Sequence, residues 1–485
     1  MGYPVNLCRG AIGLYNIKSL KAEEFISHEE IMDTLRYAQE NCKNSSLIRE
    51  ILGKAKLEKG LSHREASVLL ACEDKEVQKE IFSLAQQIKE HYYGKRIVMF
   101  APLYLSNYCI NGCVYCPYHR GNKNVVRRKL TQEEIRREVI ALENIGHKRL
   151  AIEAGEDPLN NPIEYILESI KTIYSIHHKN GDIRRVNVNI AATTVENYRK
   201  LHDAGIGTYI LFQETYHKES YKKLHPTGPK SDYAYHTEAM DRAMEGGIDD
   251  VGLGVLFGLE RYNYEFAGLL MHAEHLEAVH GVGPHTISVP RIRPAEGVDP
   301  ESFTDGISDD IFAKICALIR IAVPYTGMII STRESKAVRE RVLKLGISQI
   351  SGGSKTTVGG YEADEETDDG SEQFDISDRR TLDEVVKWLM ELGYIPSFCT
   401  ACYREGRTGD RFMSLCKSGQ ISNCCHPNAL MTLMEYLEDY ASPETKAIGE
   451  KLIERELLNI PSLNVRRIAA SRIGDIQNGS RDFRF

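Results

Sequence analysis

Eight short apolar runs alternate with helical patterns between residues 96 and 352, and this alternation constrains the fold more than any other feature of the sequence. Each run has the length of a buried strand and is separated from the next by a helical period. Eight strands with seven intervening helices match an α/β fold of the (β/α)8 TIM-barrel type. An open doubly wound sheet stays an alternative, because a strand count does not establish closure. The predicted strands are 96–105, 149–154, 184–191, 207–214, 249–256, 285–292, 327–333 and 347–352.

The barrel accounts for only the middle of the chain. We expect residues 1–95 to form an N-terminal helical region, residues 96–360 the barrel, and residues 370–485 a C-terminal helical domain that binds a second cluster. The acidic stretch 362–369, which has no apolar periodicity, marks the boundary between the last two.

Composition excludes several classes of function. The chain has no run of 18 apolar residues and no charged start followed by an apolar core, so we expect neither a transmembrane helix nor a signal peptide. A net charge of −8 without a long basic stripe argues against nucleic acid as a partner. The 12 cysteines concentrate at two places, which predicts metal binding in a reducing cytoplasm rather than disulfides.

The first cysteine group is SNYCINGCVYCPYH, directly after the first predicted strand. Cys109, Cys113 and Cys116 can hold three corners of a 4Fe-4S cluster and leave the fourth iron open. Loops at the carboxyl ends of barrel strands are where catalytic residues belong. Two alternatives are a zinc site with His119 as the fourth ligand and three cysteines that merely pack in a loop.

The second group lies in FCTACYREGRTGDRFMSLCKSGQISNCCHPN. Cys399 and Cys402 form a C-x2-C pair, and Cys416, Cys424 and Cys425 are all candidates for a further ligand. A zinc ribbon built on Cys399, Cys402, Cys424 and Cys425 is an alternative to an iron–sulfur cluster. The residues alone leave this choice open.

The C-x3-C-x2-C motif with Tyr115 before its last cysteine resembles the signature of the radical S-adenosylmethionine (SAM) superfamily. The resemblance implies that SAM chelates the open iron and yields a hydrogen-abstracting 5′-deoxyadenosyl radical. Tyr115 would lie by the adenine, and Gly155 and Glu156 would hold the SAM amino group. Gln213 and Glu214 are further candidates for SAM contacts.

From about residue 20 to its end, the sequence resembles the HydG family of tyrosine lyases that help to mature FeFe-hydrogenase. The second cluster motif of that family, C-x2-C-x22-C, assigns Cys425 and leaves Cys424 as a bystander. The matching stretches are GHKRLAIEAGEDP, RRVNVNIAATTVENYRKL, GIGTYILFQETYHKESY, VGPHTISVPRIRP and CTACYREGRTGDRFM.

This resemblance implies a complete activity. The radical would break the Cα–Cβ bond of L-tyrosine, giving p-cresol and dehydroglycine, and the latter would yield carbon monoxide and cyanide. A second 4Fe-4S cluster would carry an additional iron held by L-cysteine, which collects both ligands for the hydrogenase H-cluster. A reduced electron donor and other hydrogenase maturases would be the partners.

Two further residues are predicted from their places in the barrel. A tyrosine carboxylate needs a cation, and Arg333 ends the seventh strand on the first-cluster face, with Ser331 as a weaker neighbour. A structural pair between Arg333 and Glu334 is the alternative. The additional iron needs a ligand, and His285 opens the sixth strand at the opposite mouth. We expect His272 and His275 to sit on the outer faces of their helix instead.

Two rival functions remain. The tyrosine lyase of thiamine biosynthesis shares the barrel and the chemistry, but the motif of Cys399, Cys402 and Cys425 is against it. A non-catalytic iron–sulfur scaffold would need the cysteines but neither SAM nor tyrosine. A zinc-stabilised barrel enzyme is a further alternative to both.

Overall fold

Eight parallel strands close into a barrel in the computed structural model, which describes residues 15–303, 305–363, 371–417 and 422–485. Closure is made by β8 against β1, with Val98 opposite Gln349 and Phe100 opposite Ser351. The (β/α)8 barrel is therefore confirmed and the open sheet is excluded. The strands are β1 Arg96–Ser106, β2 Arg149–Ala154, β3 Arg185–Asn189, β4 Tyr209–Ile210, β5 Val251–Gly254, β6 Thr286–Ser288, β7 Gly327–Ile330 and β8 Gln349–Ser351.

The barrel helices begin where the sequence provides caps. Thr131 accepts from the Glu134 backbone, while the Glu134 carboxylate accepts from the Thr131 backbone, so this capping box opens the first helix. These helices are α6 Gln132–Asn144, α7 Ile163–Tyr174, α8 Val195–Asp203, α9 Lys218–Leu224, α10 Tyr233–Thr237, α11 Ala239–Glu245, α12 Tyr262–His280, α13 Asp309–Ala322 and α14 Lys336–Leu345. Outside the barrel strands lie a small hairpin, His177–His178 with Gly181–Asp182, and two 3-10 turns, Pro229–Ser231 and Pro300–Ser302.

The N-terminal helices cover one side of the barrel by packing on α12 and α13. Helix α12 is apolar around most of its circumference, as expected for a helix covered on both sides. His272 and His275 are consequently buried, and both rings lie against Phe25 of the N-terminal layer that covers this helix. The covering helices are α1 Ala22–Phe25, α2 His28–Asn41, α3 Ser45–Ala55, α4 His63–Ala71 and α5 Lys75–Tyr93.

A ninth strand carries the second cysteine group to the barrel. Strand β9, Ile395–Ser397, runs parallel to the amino-terminal end of β1, with Ile395 opposite Arg96. The carboxyl-terminal half of β1 pairs with β2, so Cys399 emerges at the amino-terminal mouth. The C-terminal helices are α15 Leu382–Glu391, α16 Ala401–Arg404, α17 Gly409–Lys417, α18 Ser422–Asp439, α19 Pro443–Leu458 and α20 Leu463–Gln477.

The acidic stretch 362–369, used as a domain boundary, falls mostly outside the described residues. No helix in the described part of the chain is long and apolar enough to cross a membrane.

Candidate functional site

The first cysteine group lines a cavity of about 1090 Å³ at the carboxyl-terminal mouth of the barrel. Cys109, Cys113 and Cys116 all reach this cavity from the loop after β1, as the barrel position predicted. None of the described cysteines forms a disulfide. His119 is not among the described residues that line the cavity, so the geometry does not support it as a fourth zinc ligand.

Arg127 fixes the shape of the cysteine loop. Its guanidinium donates to four backbone carbonyls, those of Asn107, Tyr118, His119 and Asn122, at 2.7–3.3 Å. These carbonyls lie on both sides of the cysteines in the chain. The N–H groups of one guanidinium therefore hold the loop closed.

Gly155 allows the loop after β2 to approach the cysteines. A Cβ atom there would lie 2.4 Å from the Tyr108 carbonyl oxygen and 3.0 Å from Cys109 Cβ, so a larger residue would push the two loops apart. The next residue, Glu156, accepts a hydrogen bond from Asn111 Nδ2 at 2.6 Å. Gly155 and Glu156 thus lie against the cysteine loop, and their role in holding the SAM amino group stays a prediction.

The donor set suits an iron–sulfur cluster. Burial raises the pKa of Cys113 to about 11 and that of Cys116 beyond the usual range of a thiol. Three thiols that face one cavity, one of them buried and two half-buried, are the ligands that such a cluster uses. Bound iron removes their protons, because a coordinating thiol is deprotonated outright.

The other predicted SAM residues divide into two groups. Tyr115 lines the cavity, and its hydroxyl lies 2.7 Å from Nε2 of His225, whose pKa burial lowers to about 3. Glu214 lines it too, at a positive φ of 66°, and pairs with Lys230 at 2.9 Å. Gln213 points elsewhere, donating to Thr237 Oγ1 at 2.9 Å. Neither Lys230 nor His225 lies in a motif that could have pointed to this cavity.

The Arg333 side chain faces the first cavity and forms no ion pair with any described residue. Its guanidinium stacks 3.5 Å from the centre of the Phe374 ring, and no described residue accepts a hydrogen bond from it. Glu334, the alternative partner, is held instead by Arg291 and by Arg293, the latter at 2.6 Å. Burial lowers the pKa of Arg333, yet a guanidinium stays charged.

The lumen continues below this point. Arg333 and Ser331 line a deeper cavity together with Glu153 and Asn189, two inward-facing residues that sequence reasoning did not single out. Burial raises the pKa of Glu153 well above its usual range, and Asn189 hydrogen-bonds to it. Glu153 is the last residue but one of β2 and Asn189 ends β3, so alternation along these strands was the available signal.

The second cysteine group lines a separate cavity of about 710 Å³ at the amino-terminal mouth. Cys399, Cys402 and Cys425 reach it, whereas Cys424 does not line it. A hydrogen bond with Cys402 and the charge of Arg96 lower the pKa of Cys425 to about 6, despite burial. The side chain of Cys416 lies outside the described part of the structure. Three thiols with one favoured as thiolate suit a second iron–sulfur cluster.

His285 lines the same cavity, at the mouth predicted for it. Its Nδ1 lies 3.3 Å from Asp250 Oδ1, and its Nε2 lies 2.7 Å from the Tyr403 hydroxyl. A carboxylate close to one ring nitrogen is the arrangement that orients a histidine whose other ring nitrogen binds a metal. Arg149 borders this cavity and donates to the Cys399 carbonyl at 2.9 Å.

Comparisons with known proteins show which family this chain belongs to. The Radical SAM superfamily profile matches residues 103–272, and the profile of the Biotin and Thiamin Synthesis associated domain matches residues 288–395. A crystal structure described as HydG, a maturase of the FeFe-hydrogenase, superposes with a TM-score of 0.92 and 57% identity, covering 95% of this chain and 100% of that one. The chain belongs to the HydG family.

Other relatives are less similar in sequence. HydG from Carboxydothermus hydrogenoformans superposes with a TM-score of 0.80 and 39% identity, over 93% of this chain and 99% of that one. A 2-iminoacetate synthase from Salmonella typhimurium is 32% identical over 69% of this chain and 86% of its own length. The HydE maturase subunit of Thermotoga maritima is 29% identical over 62% and 82%.

As a HydG-family chain, this protein is a radical SAM enzyme. Membership of the radical SAM superfamily implies a 4Fe-4S cluster and SAM as cofactors. The alternatives of a zinc-stabilised barrel and of a scaffold without SAM are thereby set aside.

Proposed function

We propose that this enzyme cleaves the Cα–Cβ bond of L-tyrosine to p-cresol and dehydroglycine, and then forms carbon monoxide and cyanide on iron for the H-cluster of FeFe-hydrogenase. One observation carries the proposal. Arg333, which forms no ion pair with a described residue, shares a cavity with three cysteines, and a second cavity lined by three cysteines lies at the other mouth of the same barrel. The HydG relatives are described as maturases of this hydrogenase. Dehydroglycine is 2-iminoacetate, for which other relatives are named.

Arg333 is the proposed anchor of the tyrosine carboxylate. A guanidinium in a buried cavity without a carboxylate partner favours a planar anion that it can bind through two hydrogen bonds. Glu153 lies deeper in the same cavity, where burial raises its pKa well above the usual range. The substrate ammonium group would pair with its carboxylate, so Arg333 and Glu153 would bind opposite ends of the amino-acid moiety. Ser331 contributes a hydroxyl to the same wall.

The residues around the first cysteine group orient SAM. When bound, the cluster supplies the electron that releases the radical from SAM. Glu156 and the Gly155 backbone are placed to hold the SAM amino group, and Tyr115 would lie by its adenine. The hydrogen bond between the Tyr115 hydroxyl and His225 fixes the ring of Tyr115 in place.

The second cavity is the proposed site of ligand assembly. Cys399, Cys402 and Cys425 would hold a second 4Fe-4S cluster whose additional iron carries L-cysteine. His285, oriented by Asp250, would bind that iron. Passage of dehydroglycine through the barrel would keep a hydrolysable imine away from water. A reduced electron donor and other hydrogenase maturases would be the partners.

An anaerobic assay tests the proposal. The protein is reconstituted with iron and sulfide and given reductant, SAM, tyrosine and cysteine, and p-cresol and carbon monoxide are measured together. Both products are expected. Formation of p-cresol alone, with the second cluster shown present by iron analysis, would point to the thiamine-type lyase. The double variant Cys399→Ala/Cys402→Ala is the matched control, and it should keep p-cresol and lose carbon monoxide.

A further inference from the structure

The Tyr403 hydroxyl hydrogen-bonds to a ring nitrogen of His285 in the second cavity. Asp250 Oδ1 lies 3.3 Å from Nδ1 of His285 and also accepts from the Gly409 backbone N–H, so its carboxylate acts as an acceptor. Nδ1 of the neutral imidazole therefore carries the proton, and Nε2 carries the lone pair. The Tyr403 oxygen lies 2.7 Å from Nε2, so its O–H donates to this lone pair.

A metal ion bound to His285 needs the same lone pair. A metal–imidazole bond is about 2 Å long and points along the lone pair, so the ion would overlap the Tyr403 hydroxyl. Nδ1 offers no second position, because its proton is directed at Asp250. Coordination of iron by His285 and the hydrogen bond from Tyr403 therefore exclude each other.

A single hydrogen bond holds this hydroxyl. Among the residues that the structure describes, His285 is the only hydrogen-bond partner of the Tyr403 hydroxyl. The Tyr403 ring is half-buried, stacks on the Arg185 guanidinium and meets the His285 ring at 75°. The backbone of α16 is held separately, since Arg404 donates two hydrogen bonds to Asp482 at 2.5 and 2.7 Å. Rotation of the Tyr403 side chain therefore breaks one hydrogen bond and frees Nε2.

Tyr403 is the competitor for this lone pair that the described residues provide. Phe412 also contacts the His285 ring, with the ring centres 4.9 Å apart, but its side chain has no polar atom. Tyr403 directly follows Cys402 in α16, and both side chains line the second cavity. The competing hydroxyl therefore lies beside the proposed ligands of the second cluster and of the additional iron.

We propose that Tyr403 is a displaceable cap on His285, which weakens binding of the additional iron and promotes its release as cargo. This inference rests on the proposed role of His285 as a ligand of that iron. While the Tyr403 hydroxyl occupies the lone pair, the site cannot bind metal, and the apparent affinity falls with the fraction of competent sites. Iron that is to leave the protein must be bound reversibly, and a hydroxyl that recaptures Nε2 opposes its rebinding.

The test measures iron affinity rather than turnover. The reconstituted full-length enzyme is kept anaerobic and titrated with Fe²⁺ against a chromophoric chelator, and inorganic sulfide is measured to follow the clusters themselves. Tyr403→Phe removes the hydroxyl and keeps the ring. It should bind the additional iron about 3- to 10-fold more tightly than the wild type, the equivalent of one hydrogen bond, and release it more slowly to the chelator.

Two controls separate the cap from a structural role. In a His285→Ala background, Tyr403→Phe should leave iron affinity unchanged, because no lone pair remains to compete for. Tyr174→Phe removes a hydroxyl that donates to the Gly205 carbonyl at 2.9 Å outside the second cavity, and it should bind iron as the wild type does.

The outcomes distinguish the cap from the proposed function. If His285→Ala loses the additional iron while Tyr403→Phe binds it as the wild type does, the cap alone is refuted. Weaker iron binding by Tyr403→Phe would also refute the cap, because the hydroxyl would then assist coordination. Wild-type iron affinity in His285→Ala would refute the role of His285 under the proposed function, and the cap with it.

Discussion

At the residue scale, the uncompensated guanidinium of Arg333 leads to the first prediction. Arg333→Lys keeps the charge but loses the planar fork, so kcat/KM for p-cresol formation should fall roughly 10- to 100-fold, the equivalent of one charge-assisted hydrogen bond. SAM cleavage without tyrosine should not change. An equal loss of SAM cleavage would show that Arg333 serves the cofactor rather than the substrate.

A second residue-scale prediction concerns Asp250. If its carboxylate orients His285 toward iron, Asp250→Asn should weaken binding of the additional iron about 10- to 100-fold. Iron per chain, titrated against a chelator, should fall while inorganic sulfide stays constant. His285→Ala should give the same change in the iron-to-sulfide ratio. A parallel loss of sulfide would mean that the whole second cluster depends on this pair.

At the element scale, the loop closed by Arg127 controls how firmly the first cluster is held. Arg127→Lys retains one donor group in place of a fork that reaches four carbonyls, so the loop should open more often. The half-life of the cluster absorbance under chelator challenge should shorten several-fold. Arg136→Lys, which alters an exposed ion pair on α6, is the control and should have no effect.

The contact between the N-terminal helices and α12 should depend on pH. Burial by itself lowers the pKa of His63, but the charge of Glu274 and the hydrogen bonds that the His63 ring donates to Glu274 and Glu30 raise it to about 9. A folded pKa above the unfolded value of about 6.5 stabilises this contact fully below pH 6.5, and the gain is lost as pH rises through 9. The shift corresponds to roughly 3 kcal/mol.

Hydrogen exchange of peptides from α2 and α4 measures this effect. Exchange free energies in the wild type should decrease between pH 6 and pH 9.5, after correction for the intrinsic exchange rate. His63→Gln should remove most of that decrease and show its largest destabilisation at pH 6. An unchanged pH dependence in this variant would assign the effect to another group.

At the scale of the whole molecule, the two cysteine cavities are useful to each other only if the barrel connects them. Ala151 projects into the lumen below Arg333. Ala151→Leu should therefore leave p-cresol formation intact, lower the ratio of carbon monoxide to p-cresol, and raise glyoxylate from hydrolysis of escaped dehydroglycine. Ala151→Ser is the matched control and should behave as the wild type. An unchanged product ratio in the leucine variant would argue for transfer through solvent.

The sequence by itself determined the elements and the ligand types. Strand and helix periods predicted all eight barrel strands, because burial imposes those periods locally. The spacing of Cys109, Cys113 and Cys116 identified a cluster loop for a similar reason, since three ligands of one cluster lie within one loop. His285 and Arg333 were found from their positions at strand ends.

Only the tertiary structure decided which charged side chains form ion pairs and which residues line the same cavity. Glu334 follows Arg333 in sequence, but it is held by Arg291 and Arg293 from the β6 side, which leaves Arg333 to the cavity. His272 and His275 were expected on the outer faces of their helix, and they are buried because residues more than 200 positions away in the chain cover them. Burial and pairing are sums over distant neighbours, and no local pattern records them.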